Sequence, residues 1–88
     1  MRVHIDDSVL YQELAGEAVL LSTRTGQYFG LDAVGTRIFA LLRERGQVEP
    51  VLAAITEEFA VSPSRARAEL DAFVESLAME GLIHVDPV

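Results

Sequence analysis

The stretch Val19–Leu42, VLLSTRTGQYFGLDAVGTRIFALL, switches from strand patterning to helical patterning at one residue, Asp32, with nothing to spare on either side. Val19 to Ser22 is a short apolar run of strand type. Thr23-Arg24-Thr25-Gly26 is a polar connection ending in glycine, which suits a hairpin loop whose last residue takes positive φ. Gln27 to Leu31 is a second strand, led by Tyr28 and Phe29. Asp32 then caps a helix in which Val34, Ile38, Leu41 and Leu42 recur at helical spacing. Two glycines here run against local propensity. Gly30 interrupts a strand, where glycine often marks a bulge or the close approach of another backbone. Gly35 occupies the first helical turn, where alanine is better by about 1 kcal/mol, so packing against the strand is the expected reason.

Before this stretch, Ser8 to Leu14 alternates, with Val9, Tyr11 and Glu13 on one face and Leu10, Gln12 and Leu14 on the other. Ala15-Gly16-Glu17 turns it into the strand that begins at Ala18. Val3 and Ile5 alternate with Arg2, His4 and Asp6, as a frayed edge strand or an extended lead-in. After it, the first helix runs from about Ala33 to Arg45 and stops at Gly46, behind two arginines suited to the negative helix end. A second helix starts at Glu49-Pro50 with the apolar stripe Val51, Leu52, Ile55 and Phe59. A third has Ser62 as N-cap and Pro63 at its first position, with Ala66, Leu70, Phe73 and Leu77 as the expected core face. It ends at Gly81, and Leu82-Ile83-His84-Val85 is a short extended tail before Pro87. The order predicts an α+β, winged helix-turn-helix-like fold. A three-stranded antiparallel sheet (strands about 8–31) precedes three helices (about 33–81), in a single domain over 1–88.

Fourteen acidic residues against seven basic ones give a formal charge of −7. Phosphate backbones are repelled on average, because nucleic-acid affinity comes largely from Lys and Arg displacing counterions. A basic peptide is steered in. The chain has no cysteine, which excludes disulfides, thiolate zinc sites and thiol nucleophiles. There is no signal-peptide pattern and no run of 18 apolar residues, so the expectation is a cytoplasmic protein with no membrane segment.

Chemistry-bearing patterns are scarce. His4 and His84 lie at opposite chain ends and read as surface or half-buried residues. Glu57-Glu58 is a solvated helix face. Gly26, Gly30 and Gly35 form no phosphate loop, and Ser62-Pro63-Ser64 is a helix start and no nucleophile elbow. No nucleophile, base and oxyanion set can be assembled, so the expectation is a non-enzyme without cofactor or metal. The distinctive feature is the strand Gln27 to Leu31. In a meander it lies at the sheet edge, and such edges are usually blunted by charge or proline. This one reads QYFGL, with neither. An unprotected edge can accept a partner strand, the backbone giving affinity and side-chain pockets selectivity.

Leu20-Leu21, Thr25-Gly26-Gln27-Tyr28-Phe29, Leu31-Asp32, Val34-Gly35, Ile38 and Leu41-Leu42, in that order, resemble the core of the family of pyrroloquinoline quinone biosynthesis protein D. That family is a peptide-binding module, the RiPP recognition element, which holds the leader of a ribosomally made precursor peptide. The short free-standing chain is most similar to the discrete recognition proteins of lasso-peptide pathways. The resemblance implies a leader docked as a strand beside Gln27, Tyr28, Phe29, Gly30 and Leu31, with the third helix as the other wall. On the expected helix orientation the groove stripe is Arg67, Asp71, Val74 and Ala78, with Leu70 and Glu75 as further contacts beside it, an apolar floor with an acidic rim that suits a basic leader. The resemblance also implies a cysteine-protease-like leader peptidase and an ATP-dependent, asparagine-synthetase-like cyclase as partners. Two alternatives are a winged-helix DNA-binding regulator and a small structural subunit that dimerises through the open edge. For the first, the third helix sets Arg65 and Arg67 against Glu69, Asp71, Glu75 and Glu80, a poor fit to phosphate.

Overall fold

Alternating residues give four strands before the first helix: β1 (Arg2–Ile5), β2 (Val9–Leu14), β3 (Glu17–Ser22) and β4 (Tyr28–Gly30). Three helices follow, α1 (Ala33–Arg45), α2 (Val48–Phe59) and α3 (Pro63–Met79), and then a last strand, β5 (Ile83–Asp86). The structure, a computed structural model, describes residues 1–86; Pro87 lies outside them.

Ala15 and Gly16, both at positive φ (54° and 82°), make the two-residue turn that sets Leu14 opposite Glu17. Positive φ at both positions matches the right-handed twist of the strands they join. The connection from Ser22 to Gln27 closes through Gly26, at φ 77°, whose N–H donates to the Ser22 carbonyl at 2.7 Å. The outcome is the expected antiparallel sheet in the order β2-β3-β4, with β4 at an edge. Its register is continuous through Gly30, opposite Val19, so that glycine marks no bulge.

The helix signals are equally local. Asp32 accepts from the Gly35 N–H at 2.7 Å and Ser62 from the Arg65 N–H at 3.3 Å, each satisfying an amide that the first helical turn leaves free. Gly46, at φ 68°, ends α1 behind Arg43 and Arg45. Phe39, Leu41 and Leu42 from α1, Val48, Val51 and Ile55 from α2, and Leu70 and Leu77 from α3 close over Leu20 of the sheet. Tyr11 stacks on Phe39 at 5.7 Å, and the Arg43 guanidinium lies 4.5 Å from the centroid of the Tyr11 ring.

Both segments expected to be extended, the frayed edge strand or lead-in at Val3–Ile5 and the short tail after Gly81, are strands, and they pair with each other. β1 and β5 pair antiparallel into a second, two-stranded sheet, with Ile5 opposite Ile83 and His4 opposite His84. The Val3 N–H reaches the Gly46 carbonyl at 2.9 Å, so the ribbon is also tied to the α1–α2 connection. Val3, Leu82 and Ile83 are buried in the core. A nearly buried carboxylate, Asp6, binds this ribbon to the hairpin. It accepts from the Ser8 N–H and Oγ–H, from His84 Nε2 at 2.6 Å and from Arg24 at 3.0 Å. The Ser8 hydroxyl, His84 and the Ser8 amide hold Asp6 well below the usual carboxylate range, aided by the Arg24 charge.

Candidate functional site: the β4 edge and its cleft

The free edge of β4 follows from the bonds it makes inward. The Leu31 N–H donates to the Ala18 carbonyl at 2.8 Å, and the Gln27 carbonyl accepts from the Ser22 N–H at 3.0 Å. Bonded pairs alternate along an antiparallel ladder, so Leu20 and Phe29, midway between, are the third such pair. The Gln27 carbonyl, both main-chain groups of Phe29 and the Leu31 N–H are therefore spent on β3. Tyr28 and Gly30 aim theirs away from the sheet. The open row is narrower than the five residues of the expected strand: two donors and two acceptors.

The row is bounded at its far end by a side chain. Thr36, buried in α1, accepts the Ala18 N–H on Oγ1 at 2.7 Å and donates to the Leu31 carbonyl at 3.4 Å. It thus satisfies groups that the ladder abandons where β4 turns into the helix. Nothing in the spacing of apolar residues marks Thr36 for this role.

Beside the edge lies a cleft of about 610 Å³ lined by Gly30, Leu31, Val34, Gly35, Glu69 and Phe73, with Asp32, Ile38 and Arg65 completing it. Gly35 explains itself here. A Cβ at that position would lie 3.2 Å from Asp32 Oδ1 and 3.6 Å from both Leu31 and the Phe73 ring. Only the first of these is tighter than ordinary van der Waals contact, so the missing side chain leaves the Asp32 cap undisturbed, with Phe73 packed alongside. Gly30 is the opposite case, with open space where its Cβ would stand. The cleft continues into a smaller apolar hollow of about 220 Å³ between the helices, walled by Val34, Ile38, Phe59 and Val61.

The third helix does form the wall facing β4, but it shows a different flank from the one expected. Leu70 and Val74 are buried in the core, and Ala78 packs against it. Arg67, Asp71 and Glu75 do not line the cleft, and Arg67 is paired with Asp71 at 3.5 Å. The cleft residues are Arg65, Glu69 and Phe73, spaced four apart. Phe73 and Val74 are adjacent apolar residues about 100° apart around the helix, and either one fits a stripe that includes Ala66, Leu70 and Leu77. The helix turns Val74 into the core and leaves the larger Phe73 half-buried at the cleft. On the strand, Phe29 points inward and is half-buried, and Tyr28 stands 69% exposed on the other side of the sheet.

Charge in the cleft comes from Asp32, Glu69 and Arg65, the last two 3.4 Å apart. The basic residues of α3, Arg65 and Arg67, are thus each paired to a carboxylate one turn on, which leaves little positive field for a phosphate backbone. His4 and His84, far apart in sequence, stack at 6.3 Å across the β1–β5 ribbon. Among the described residues no group of three His, Asp or Glu side chains is placed to hold a metal ion, and no helix is long and apolar enough to cross a membrane.

Known proteins share this architecture. A structure described as TbiB1 in complex with the TbiA(beta) leader peptide is 40% identical, with a TM-score of 0.86 over 94% of this chain and 99% of that one. A lasso peptide synthetase B1 complexed with the leader peptide shares the fold, with a TM-score of 0.87 at 22% identity over 97% of this chain and all of that one. No curated protein matches. Residues 17–83, from β3 through α3 to the start of β5, match the family described as Coenzyme PQQ synthesis protein D (PqqD). The strand-cleft-helix site lies wholly within that span, and the chain belongs to the PqqD family.

Proposed function

We propose that this protein is a non-catalytic recognition domain that holds the leader of a ribosomally made precursor peptide and presents it to lasso-peptide processing enzymes. The leader lies as an added strand along β4, bonded to Tyr28 and Gly30, with alternate side chains entering the cleft against Phe73. The observation that carries this reading is the open row of β4 beside an apolar cleft, and the leader complex of the 40% identical TbiB1 supports it.

Magnitudes say how the work divides. Four hydrogen bonds at the edge contribute about 0.5–1.5 kcal/mol each, roughly 2–6 kcal/mol together. A micromolar complex needs about 8 kcal/mol after the cost of association is met. The main chain therefore sets direction and register, and apolar side chains seated on Leu31, Val34 and Phe73 carry most of the affinity. Asp32 and Glu69, within a chain of net charge −7, favour a leader with Lys or Arg beside its apolar anchors. A cysteine-protease-like leader peptidase and an ATP-dependent, asparagine-synthetase-like cyclase then act on the presented peptide.

Fluorescence anisotropy with a labelled leader peptide and a labelled DNA duplex tests the reading. The leader binds with a Kd near or below about 1 μM and the duplex does not bind. Duplex binding without leader binding overturns it.

A further inference from the structure

Two contacts fasten the β3–β4 connection to something other than its own hairpin. Thr23 donates to the Ser8 carbonyl through its N–H at 2.9 Å and its Oγ1 at 2.8 Å. Arg24 Nη2 reaches both oxygens of Asp6, at 3.1 and 3.0 Å. Both contacts end on the short segment from Asp6 to Ser8. The Asp6 N–H ties that segment to the Leu82 carbonyl at 2.9 Å, and the Asp6 side chain ties it to His84. Asp6, Ser8 and His84 all lie outside residues 17–83, the span shared with the family, whereas Arg24 lies inside it. The paired chain ends therefore grip the connection that leads into the open edge.

The grip matters because β4 is short. It has three residues and one neighbour, β3. A strand held on one side opens most readily from an end. Tyr28, whose N–H and carbonyl face away from the sheet, stands at the end next to the connection. Inside the connection two of the bonds are long, 3.4 Å from the Thr25 N–H to Ser22 Oγ and 3.3 Å from the Gln27 N–H to Thr25 Oγ1. The Arg24 side chain is 63% exposed, and the nearly buried Asp6 keeps both Ser8 donors and His84 when Arg24 is gone. Loss of Arg24 thus loosens the entry to β4 and leaves the core alone.

We propose that Arg24, held by Asp6, is a positioning residue for the leader: it keeps the Tyr28 end of β4 formed before the peptide arrives. Only molecules with that end formed bind, so the apparent affinity scales with their fraction. The proposal rests on the reading of the β4 edge given above, and it adds a fastening outside the cleft that is built partly from residues beyond the family span. One nitrogen makes both contacts with Asp6, so the point charge of a lysine ammonium can take its place.

The test is fluorescence anisotropy with the full chain and a labelled TbiA(beta) leader peptide as the probe. Arg24→Ala is expected to weaken binding about fivefold, and Arg24→Lys to stay within about twofold of wild type. Removing a positive charge by itself favours a basic leader, so a loss reports position and not charge. Asp6→Asn added to Arg24→Ala does no further harm beyond the worse single variant, because the two act through one contact. In the free protein, Arg24→Ala speeds exchange of the Phe29 amide about fivefold and leaves that of Leu31 unchanged. Wild-type affinity in Arg24→Ala, an equal loss in Arg24→Lys, or losses that multiply with Asp6→Asn overturn the proposal. So does weaker binding with Phe29 exchange unchanged, which makes Arg24 a direct contact of the peptide. Wild type that fails to bind the leader is a separate result: it refutes the reading of the β4 edge, and this proposal with it.

Discussion

Replacing Thr36 by valine keeps the shape of a buried side chain and removes one oxygen. In the native fold that oxygen accepts the Ala18 N–H at 2.7 Å, and Ala18 is only 1% exposed. The variant strands this donor where water does not reach, at a cost of about 1–3 kcal/mol. The Leu31 carbonyl loses only a long bond of 3.4 Å, a lesser effect. The added methyl recovers at most about 0.8 kcal/mol if it finds room. The net loss is about 1–2 kcal/mol, and with a urea m-value near 1 kcal/mol/M for a chain of this size the midpoint falls by about 1–2 M. Urea denaturation followed by far-UV circular dichroism measures it, with an unchanged m-value showing that the native state is the same. Thr36→Ser keeps the oxygen and isolates the smaller effect of the methyl. A valine variant as stable as wild type refutes the role given to Thr36 in joining α1 to the end of the β4 edge.

Gly30→Pro removes one of the two outward donors of β4, so leader affinity falls about tenfold or more, while Gly30→Ala, whose Cβ meets open space, keeps near wild-type affinity. A proline variant that stays folded and binds equally well refutes strand addition at this edge. Glu69→Arg reverses a charge in the cleft and weakens binding of a basic leader at about 0.01 M salt far more than near 1 M, where the screening length shrinks from about 30 to 3 Å. Asp71→Arg, off the cleft, has the smaller effect in the same anisotropy titration; the reverse order restores the flank of α3 expected from the sequence. Asp6 is held below the usual carboxylate range in the fold, so its contribution to stability is present above the unfolded value near pH 3.9 and is lost as pH falls toward the folded one. Asp6→Asn flattens that part of the stability profile measured by thermal melts between pH 2 and 6, and an unchanged slope contradicts the clasp.

What was legible in the sequence was what neighbours dictate. Asp32, Gly46 and Ser62-Pro63 are local stop and start signals, and the helices begin and end where they stand. The meander was legible because a two-residue turn and a glycine-closed loop leave its strands nowhere else to pair. The β1–β5 ribbon was not, because Ile5 and Ile83 are 78 positions apart and each strand has only four residues, too short to show a convincing alternation. The same distance hid the approach of His4 to His84 and the closure of Asp6 on His84. At the site, the open strand could be read from its lack of charge and proline, and Gly35 hinted at a close approach. The flank of α3 could not be read, because adjacent Phe73 and Val74 offer two rotations of one stripe and only tertiary packing chooses between them.

Amide exchange at β4, followed by NMR with and without the leader peptide, tests strand addition most directly. The Tyr28 and Gly30 amides are expected to exchange freely in the unbound protein and to become protected in the complex, while those of Phe29 and Leu31, already bonded to β3, are protected in both. A leader that binds tightly yet leaves Tyr28 and Gly30 exchanging as before contradicts it.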